Sequence, residues 1–209
     1  MIRTEWIAAG LAGLLLVMAS SVSVAEDEAS NRFQKSVELE TQEKYQEALS
    51  ELEKISGPRA KGYMYSLRRG WLLYLLGKYD KSINAYQKAL TSNSGSVEAG
   101  LGIMLPQLAA RRWLDAEKTG LKILALDNAN YLANSRLAYA CYNLGRYADA
   151  AKYYKKVLDL YPGDIDMRSG YGWSLFKQGK YPAAKAEFKT ILQVSPKHSA
   201  ALEGIGLCP

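Results

Sequence analysis

The stretch NLGRYADAA, residues 143–151, returns in modified form at a fixed distance along the chain. LLGKYDKSI occupies residues 75–83, and KQGKYPAAK occupies residues 177–185. A constant period of this length is the sequence signature of stacked supersecondary units. On the register that the three copies define, the central aromatic residue recurs every 34 residues, as Tyr45, Tyr79, Trp113, Tyr147 and Tyr181. The chain therefore divides into units at 29–62, 63–96, 97–130, 131–164 and 165–198.

Each unit is predicted to contain two helices joined by a tight turn. Residues 135–144 and 147–160 of the fourth unit both carry apolar residues at helical spacing. Glycine after the first helix can take the left-handed conformation that ends a helix, and proline after the second helix prevents its continuation. Small residues at the eighth and twentieth positions allow the two helices to approach closely. One pair cannot bury both of its apolar faces, so neighbouring units must stack.

The recurrent residues resemble those of the tetratricopeptide repeat (TPR) family, whose unit is a 34-residue antiparallel helix pair. The positions that carry the resemblance are the small twentieth residue (Ala48, Ser82, Ala116, Ala150, Ala184), the fifteenth glycine (Gly77, Gly145, Gly179) and the closing proline (Pro162, Pro196). Unit three departs most from the pattern, with Met104, Gln107 and Gly120 at usually patterned places. The resemblance implies an all-α fold, a right-handed TPR superhelix (α-solenoid) of about five helix-turn-helix repeats within residues 26–198.

The two ends of the chain carry further expectations. Residues 1–25 combine Arg3, an apolar run from Trp6 to Met18 and a small-residue site ending at Ala25, which predicts a signal peptide. The alternative is an uncleaved anchor, because residues 6–25 could just span the inner membrane. Either reading predicts export to the periplasm or cell envelope. Residues 199–209 are predicted to form either a short C-terminal capping helix or the start of a truncated next repeat.

Composition limits the kinds of partner and chemistry. The net charge is +6, with a pI of about 9.1, but export argues against nucleic acid as the partner. The single histidine, His198, and the cysteines Cys141 and Cys208, two repeats apart, cannot assemble a usual zinc set. GYGWS, residues 170–174, lies in a predicted helix and lacks the order of a nucleophile elbow. The sequence therefore predicts no enzymatic activity, no cofactor and no metal.

A partner-binding groove is predicted on the first helices of the units. In TPR proteins these helices line the concave wall, so their fifth, ninth and twelfth residues are expected to point into the groove. The alternative is that these side chains pack against the next unit. The predicted binding residues are Leu67, Trp71, Tyr74, Leu101, Leu105, Leu108, Tyr139, Tyr142, Trp173 and Phe176. Large aromatic and apolar side chains of this kind are typical of recognition surfaces.

This groove does not resemble the basic clamp by which some TPR proteins hold a C-terminal carboxylate. The second positions are Met64, Glu98, Leu132 and Asp166, and Arg68 and Arg136 at sixth positions are too few. Pro106 is predicted to disturb the first helix of unit three, since it cannot donate to the Gly102 carbonyl.

The predicted role is a protein–protein interaction scaffold or adaptor of the cell envelope that binds a protein or peptide segment. Two alternatives remain at this stage: a module that stacks its aromatic residues on an envelope polysaccharide, and the TPR stalk of a larger envelope assembly or secretion protein. The membrane would be a partner only through an uncleaved leader.

Overall fold

The computed structural model describes residues 28–209, and every regular element among them is helical. The leader predicted for residues 1–25 lies outside the described residues. The helices are α1 (28–41), α2 (Tyr45–Glu53), α3 (Tyr63–Leu75), α4 (Tyr79–Ser92), α5 (Val97–Ala109), α6 (Trp113–Leu126), α7 (Tyr131–Asn143), α8 (Tyr147–Leu160), α9 (Ile165–Lys177), α10 (Tyr181–Val194) and α11 (Ser199–Leu207), with a 3₁₀ turn at Gly57–Lys61. The all-α prediction is confirmed.

The turn inside each unit has one backbone conformation at its fifteenth residue. Gly77, Gly145 and Gly179 have φ of 69°, 74° and 75°, in the left-handed region. Glu43 and Arg111 occupy the same position in units one and three with φ of 60° and 56°. Left-handed backbone costs a non-glycine residue roughly 1–2 kcal/mol. The packing of the two helices therefore imposes the turn even where glycine is absent.

The first helices from unit three onward begin with a side-chain cap. Asp164 Oδ1 accepts a hydrogen bond from Met167 N at 3.0 Å, and His198 Nδ1 accepts one from Ala201 N at 3.2 Å. Ser96 and Asn130 cap α5 and α7 in the same way. Such a cap stabilises a helix by about 1 kcal/mol. His198, expected to be a loop residue, thus starts the terminal helix α11.

The helices stack in chain order and form an inner and an outer layer. Each helix from α2 onward packs against the next one, and the first helices of adjacent units also meet, as in α3–α5, α5–α7, α7–α9 and α9–α11. These first helices make the inner wall of the array. The twentieth positions lie between the two layers, and Ala48, Ser82, Ala116, Ala150 and Ala184 are completely buried there.

The unusual residues of unit three exchange bulk between two positions. In unit two the eighth residue is Gly70, and a β-carbon built there would stand 2.8 Å from the ring of Tyr86 at position 24. In unit three the eighth residue is the large Met104, fully buried, and position 24 is Gly120. A β-carbon on Gly120 would stand 3.0 Å from Met104 Cε. Close packing is kept because one large side chain fills the same space from the opposite helix.

Two further features concern single elements. Pro106 is buried inside α5, which continues past it to Ala109, so the proline does not end the helix. Cys141 and Cys208 are both buried and free. No helix within residues 28–209 has the length and hydrophobicity required to cross a membrane.

Candidate functional site: an apolar concave groove

Two cavities open along the inner wall. The first pocket, of 740 Å³, lies across the first helices of units one to four. The second pocket, of 360 Å³, lies across units four and five. Both volumes fall within or near the range of ligand-binding clefts. The first pocket is lined by Phe33, Val37, Met64, Leu67, Arg68, Trp71, Tyr86, Val97, Glu98, Leu101, Gly102, Leu105, Leu132 and Arg136, and the second by Tyr139, Tyr142, Tyr154, Ser169, Gly170, Trp173 and Lys177.

The predicted binding residues divide between these pockets and the interior of the units. Leu67, Trp71, Leu101 and Leu105 line the first pocket. Tyr139, Tyr142 and Trp173 line the second. Tyr74, Leu108 and Phe176 line neither. Leu67 is buried and Tyr139 is 48% exposed, whereas the other eight are half-buried. The groove face is therefore partly open to solvent and partly used in packing.

The twelfth residues contact the recurrent aromatic of their own unit. The ring of Phe176 lies 5.3 Å from that of Tyr181, and Tyr142 lies 5.3 Å from Tyr147. Tyr74 lies 6.2 Å from Tyr79 in the equivalent pair. Tilted and edge-on pairs at these distances stabilise beyond their buried area. Position 12 thus closes the turn between the two helices, and only Tyr142 also lines a pocket.

Trp71 is fixed within the wall of the first pocket by a polar contact. Its indole Nε1 donates a hydrogen bond to Glu40 Oε1 at 2.6 Å, and its ring lies 5.6 Å from that of Tyr74. The other carboxylate oxygen of Glu40 pairs with Arg68, which also donates to the Ser36 carbonyl at 2.7 Å. A buried indole N–H commonly has such a partner. Trp71 therefore presents a rigid apolar surface to the pocket.

Trp173 has a different environment in the second pocket. Its ring lies 5.3 Å from Phe176 and 5.4 Å from the fully buried Phe188 of the outer layer. One edge of this indole is thus part of the core between α9 and α10, while the other lines the cavity. Trp71 and Trp173 are equivalent in the repeat register but are held by different neighbours.

The two pockets are related by two repeat units, or 68 residues. Trp71, Leu101 and Leu105 of the first pocket correspond in register to Tyr139, Ser169 and Trp173 of the second. The floors also correspond. A β-carbon on Gly102 would stand 2.3 Å from the Tyr86 ring, and one on Gly170 would stand 2.4 Å from the Tyr154 ring. The backbone of the wall can approach these rings only because glycine stands at both places. List sentences of this correspondence end with Tyr86 and Tyr154 as the matched floor residues.

Hydrogen bonds between neighbouring units show the same spacing. Tyr63 Oη lies 2.6 Å from Ser96 Oγ and donates to Glu98 Oε2 at 3.0 Å. In the equivalent place, Tyr131 Oη donates to Asp164 Oδ2 at 2.7 Å. The carboxylate that accepts this bond raises the pKa of Tyr131 to about 12. Burial raises the pKa of Tyr86 and Tyr154 well above that of an exposed tyrosine, so both floor hydroxyls stay protonated.

Several lining residues were not among the predicted binding residues. Met64 and Leu132, at second positions, are 61% and 42% exposed and form the rim of the first pocket. Arg136 and Val97 complete its wall. The second-position pattern was visible in the sequence, but it had been used only to exclude a basic clamp. Residues 28–209 hold no group of three or more His, Cys, Asp or Glu side chains placed to bind a metal.

The fold and the groove define a class: a helical-repeat solenoid with a concave recognition face. Three tetratricopeptide repeat models match the chain, over residues 65–96, 107–165 and 144–205. The chain belongs to the tetratricopeptide repeat family. Repeats of this family are interaction modules, and this membership supports a protein-binding scaffold rather than an enzyme as the general class of function.

Solved structures of other TPR proteins share the fold. "MamA 41-end from Desulfovibrio magneticus RS-1" superposes with a TM-score of 0.76 at 17% identity, covering 83% of this chain and 98% of that one. "Crystal structure of MamA protein" gives 0.73 at 17% identity, with 82% and 94% covered. "MamA AMB-1 P212121" gives 0.70 at 20% identity, with 79% and 98% covered. No curated protein sequence matches the chain significantly. At these identities the likeness concerns the fold alone.

Proposed function

We propose that the chain is an adaptor of the cell envelope that binds a segment of a partner protein in its concave groove. The observation that carries this proposal is the first pocket, 740 Å³ of open space on a wall made largely of aliphatic and aromatic side chains. Met64 and Leu132 stand exposed at its rim, where water leaves apolar surface uncovered. Burial of that surface by a partner contributes roughly 25 cal/mol per Å² before the costs of association.

Matched substitutions of two leucines test this proposal. Leu132, 42% exposed, lies at the pocket rim on α7, and Leu121, 46% exposed, lies on the outer helix α6. The purified protein and its Leu132→Lys and Leu121→Lys variants are compared for capture of partners from envelope extracts. Melting curves show whether each variant folds. Loss of a captured partner only with Leu132→Lys supports the adaptor role. Equal capture by all three proteins contradicts it.

The envelope location rests on the leader sequence alone, in residues 1–25. Export with signal cleavage leaves a mature chain that begins at Glu26. N-terminal sequencing of the protein from a fractionated envelope tests this start. An intact Met1 in the membrane fraction supports the anchor instead, and full-length protein in the cytosolic fraction contradicts export.

A polysaccharide is the second candidate ligand, and the second pocket favours it. Tyr139, Tyr142 and Trp173 offer ring surface there, beside Ser169 and Lys177. Sugar rings stack on such aromatic faces. Quenching of tryptophan fluorescence by envelope glycans, compared between the parent protein and Trp173→Phe, separates this ligand from a protein segment.

A further inference from the structure

Arg136 lies in the first pocket without a carboxylate partner. Its guanidinium is half-buried on α7, and within residues 28–209 its hydrogen-bond acceptor is the Leu101 carbonyl, 2.7 Å from Nη1. Burial lowers its pKa below that of an exposed arginine, although the group stays charged at neutral pH. A guanidinium carries five N–H donors. Most of this donor capacity therefore remains available beside the apolar wall.

The equivalent arginine two units earlier shows what is missing. Arg68 also donates to a backbone carbonyl of the preceding first helix, that of Ser36, but it pairs in addition with Glu40. Glu40 is the twelfth residue of unit one, and the twelfth residue of unit three is Leu108. The repeat thus supplies an internal carboxylate to the first arginine and withholds one from the second.

The other charged group on the pocket wall does not replace that carboxylate. Glu98 lines the same cavity, yet its oxygen accepts the hydrogen bond of Tyr63 at 3.0 Å and it forms no ion pair with Arg136. Arg68 is already neutralised by Glu40. A desolvated cation surrounded by apolar surface favours an occupant that brings its own anion, since an unpaired charge in such a place is costly.

We propose that the first pocket accepts an amphipathic helix of a partner protein whose apolar face carries one Asp or Glu side chain, held by the Arg136 guanidinium. This inference rests on the proposed groove function and adds the chemistry of the occupant. The cavity is larger than one side chain needs, and a helix presents several apolar residues at i, i+3, i+4 and i+7 from one face. The carboxylate supplies the pair that Glu40 supplies to Arg68, with a planar two-point geometry.

The test is a selection of displayed peptides. A randomised library of amphipathic helices, fused through their C-termini, is panned against the parent protein, Arg136→Gln and Leu108→Glu. The fusion leaves no free C-terminal carboxylate, so only side chains can supply the anion. Leu108→Glu keeps the arginine but gives it the internal partner that Arg68 has. Melting curves establish that each variant folds, and either variant alone suffices for the comparison.

The parent protein is expected to select helices with an acidic residue within the apolar face. A synthetic peptide of this kind should bind at least about tenfold more tightly than its Glu→Gln version, as expected for a desolvated charge pair. The ratio should fall to about one with Arg136→Gln and with Leu108→Glu. A ratio that stays high in both variants, or that is about one in the parent protein, overturns the proposal.

The same experiment separates this inference from the groove function. Peptides that lose binding with Leu132→Lys, but show no difference between Glu and Gln, leave the groove as the site and reject the carboxylate. Peptides whose binding is insensitive to Leu132→Lys and to the Arg136 variants reject both.

Discussion

Met104 fills from the inner helix the space that Gly120 leaves open on the outer helix of the same unit. Its side chain is fully buried, and its Cε lies 3.0 Å from the place where a β-carbon on Gly120 would stand. In unit two the bulk stands on the opposite side, with Gly70 facing Tyr86. The degenerate appearance of unit three is therefore a compensated exchange, and the array stays continuous through it.

Removing that bulk should create a cavity in the middle of the array. Met104→Ala is expected to lower the free energy of unfolding by about 2–5 kcal/mol, because Gly120 offers no side chain to refill the space. Urea unfolding followed by circular dichroism measures the change. Met64→Ala is the control, since Met64 is 61% exposed and should shift stability by less than about 0.5 kcal/mol. Equal effects of the two substitutions would contradict the compensation.

The contact at the twentieth position gives a second stability prediction. Ala150 is completely buried between the helices of unit four, whereas Ala148 in the same helix is exposed. Ala150→Leu should overpack the contact and cost about 1–3 kcal/mol. Ala148→Leu should leave the thermal midpoint nearly unchanged. Identical midpoints for the two variants would show that the 34-residue register is wrong.

Cys141 gives a prediction on pH dependence. Burial raises the pKa of its thiol to about 11, from an ordinary value of 9.0. Because the folded pKa is raised, the contribution of the neutral thiol to stability is complete below about pH 9 and is lost as the pH rises through 11. At pH 8 only about one thiol in a thousand is then ionised.

In a Cys208→Ser background, alkylation of Cys141 by iodoacetamide at pH 8 should be far slower in the folded protein than in urea. The rate should rise steeply as the pH approaches 11. Reaction of the folded protein at the rate of a free thiol would show that this site is open.

The sequence predicted the repeat architecture well because packing constrains each unit in the same way. The turn at position 15 forms even at Arg111, whose φ is 56°, since helix packing decides its backbone. The groove was harder to predict. Position 12 was assigned to the groove, but Phe176 packs on Tyr181 within the unit, 5.3 Å between ring centres. Whether a half-buried ring faces solvent or a neighbour depends on superhelix geometry, which a periodic pattern does not encode.

Arg136 illustrates the same limit for charge. In the sequence it and Arg68 are equivalent sixth residues, and only their neighbours across the groove distinguish them. Glu40 and Leu108, which make that difference, lie 28 residues from their respective arginines in the chain. The distinction between a paired and an unpaired guanidinium therefore required the three-dimensional arrangement.

The two equivalent tryptophans should separate binding from folding. Trp71→Phe removes the hydrogen bond to Glu40 but keeps an apolar ring on the pocket wall. Trp71→Ala removes both and is expected to weaken partner binding by about 2 kcal/mol or more. Trp173→Ala should in addition lower the free energy of unfolding, because its ring contacts the buried Phe188. Titration calorimetry and urea unfolding of the three variants measure the two effects. Loss of stability without any loss of binding would assign both tryptophans to the core alone.

The central claim, that a partner segment occupies the concave groove, is tested most directly by photo-crosslinking in intact cells. A photoreactive benzoylphenylalanine replaces either Leu132 at the rim of the first pocket or Leu121 on the outer face, two leucines of similar exposure at 42% and 46%. The account predicts an adduct of defined mass from position 132, absent from position 121 and lost when Met64→Glu is added. An adduct from position 121 with none from position 132 would contradict it.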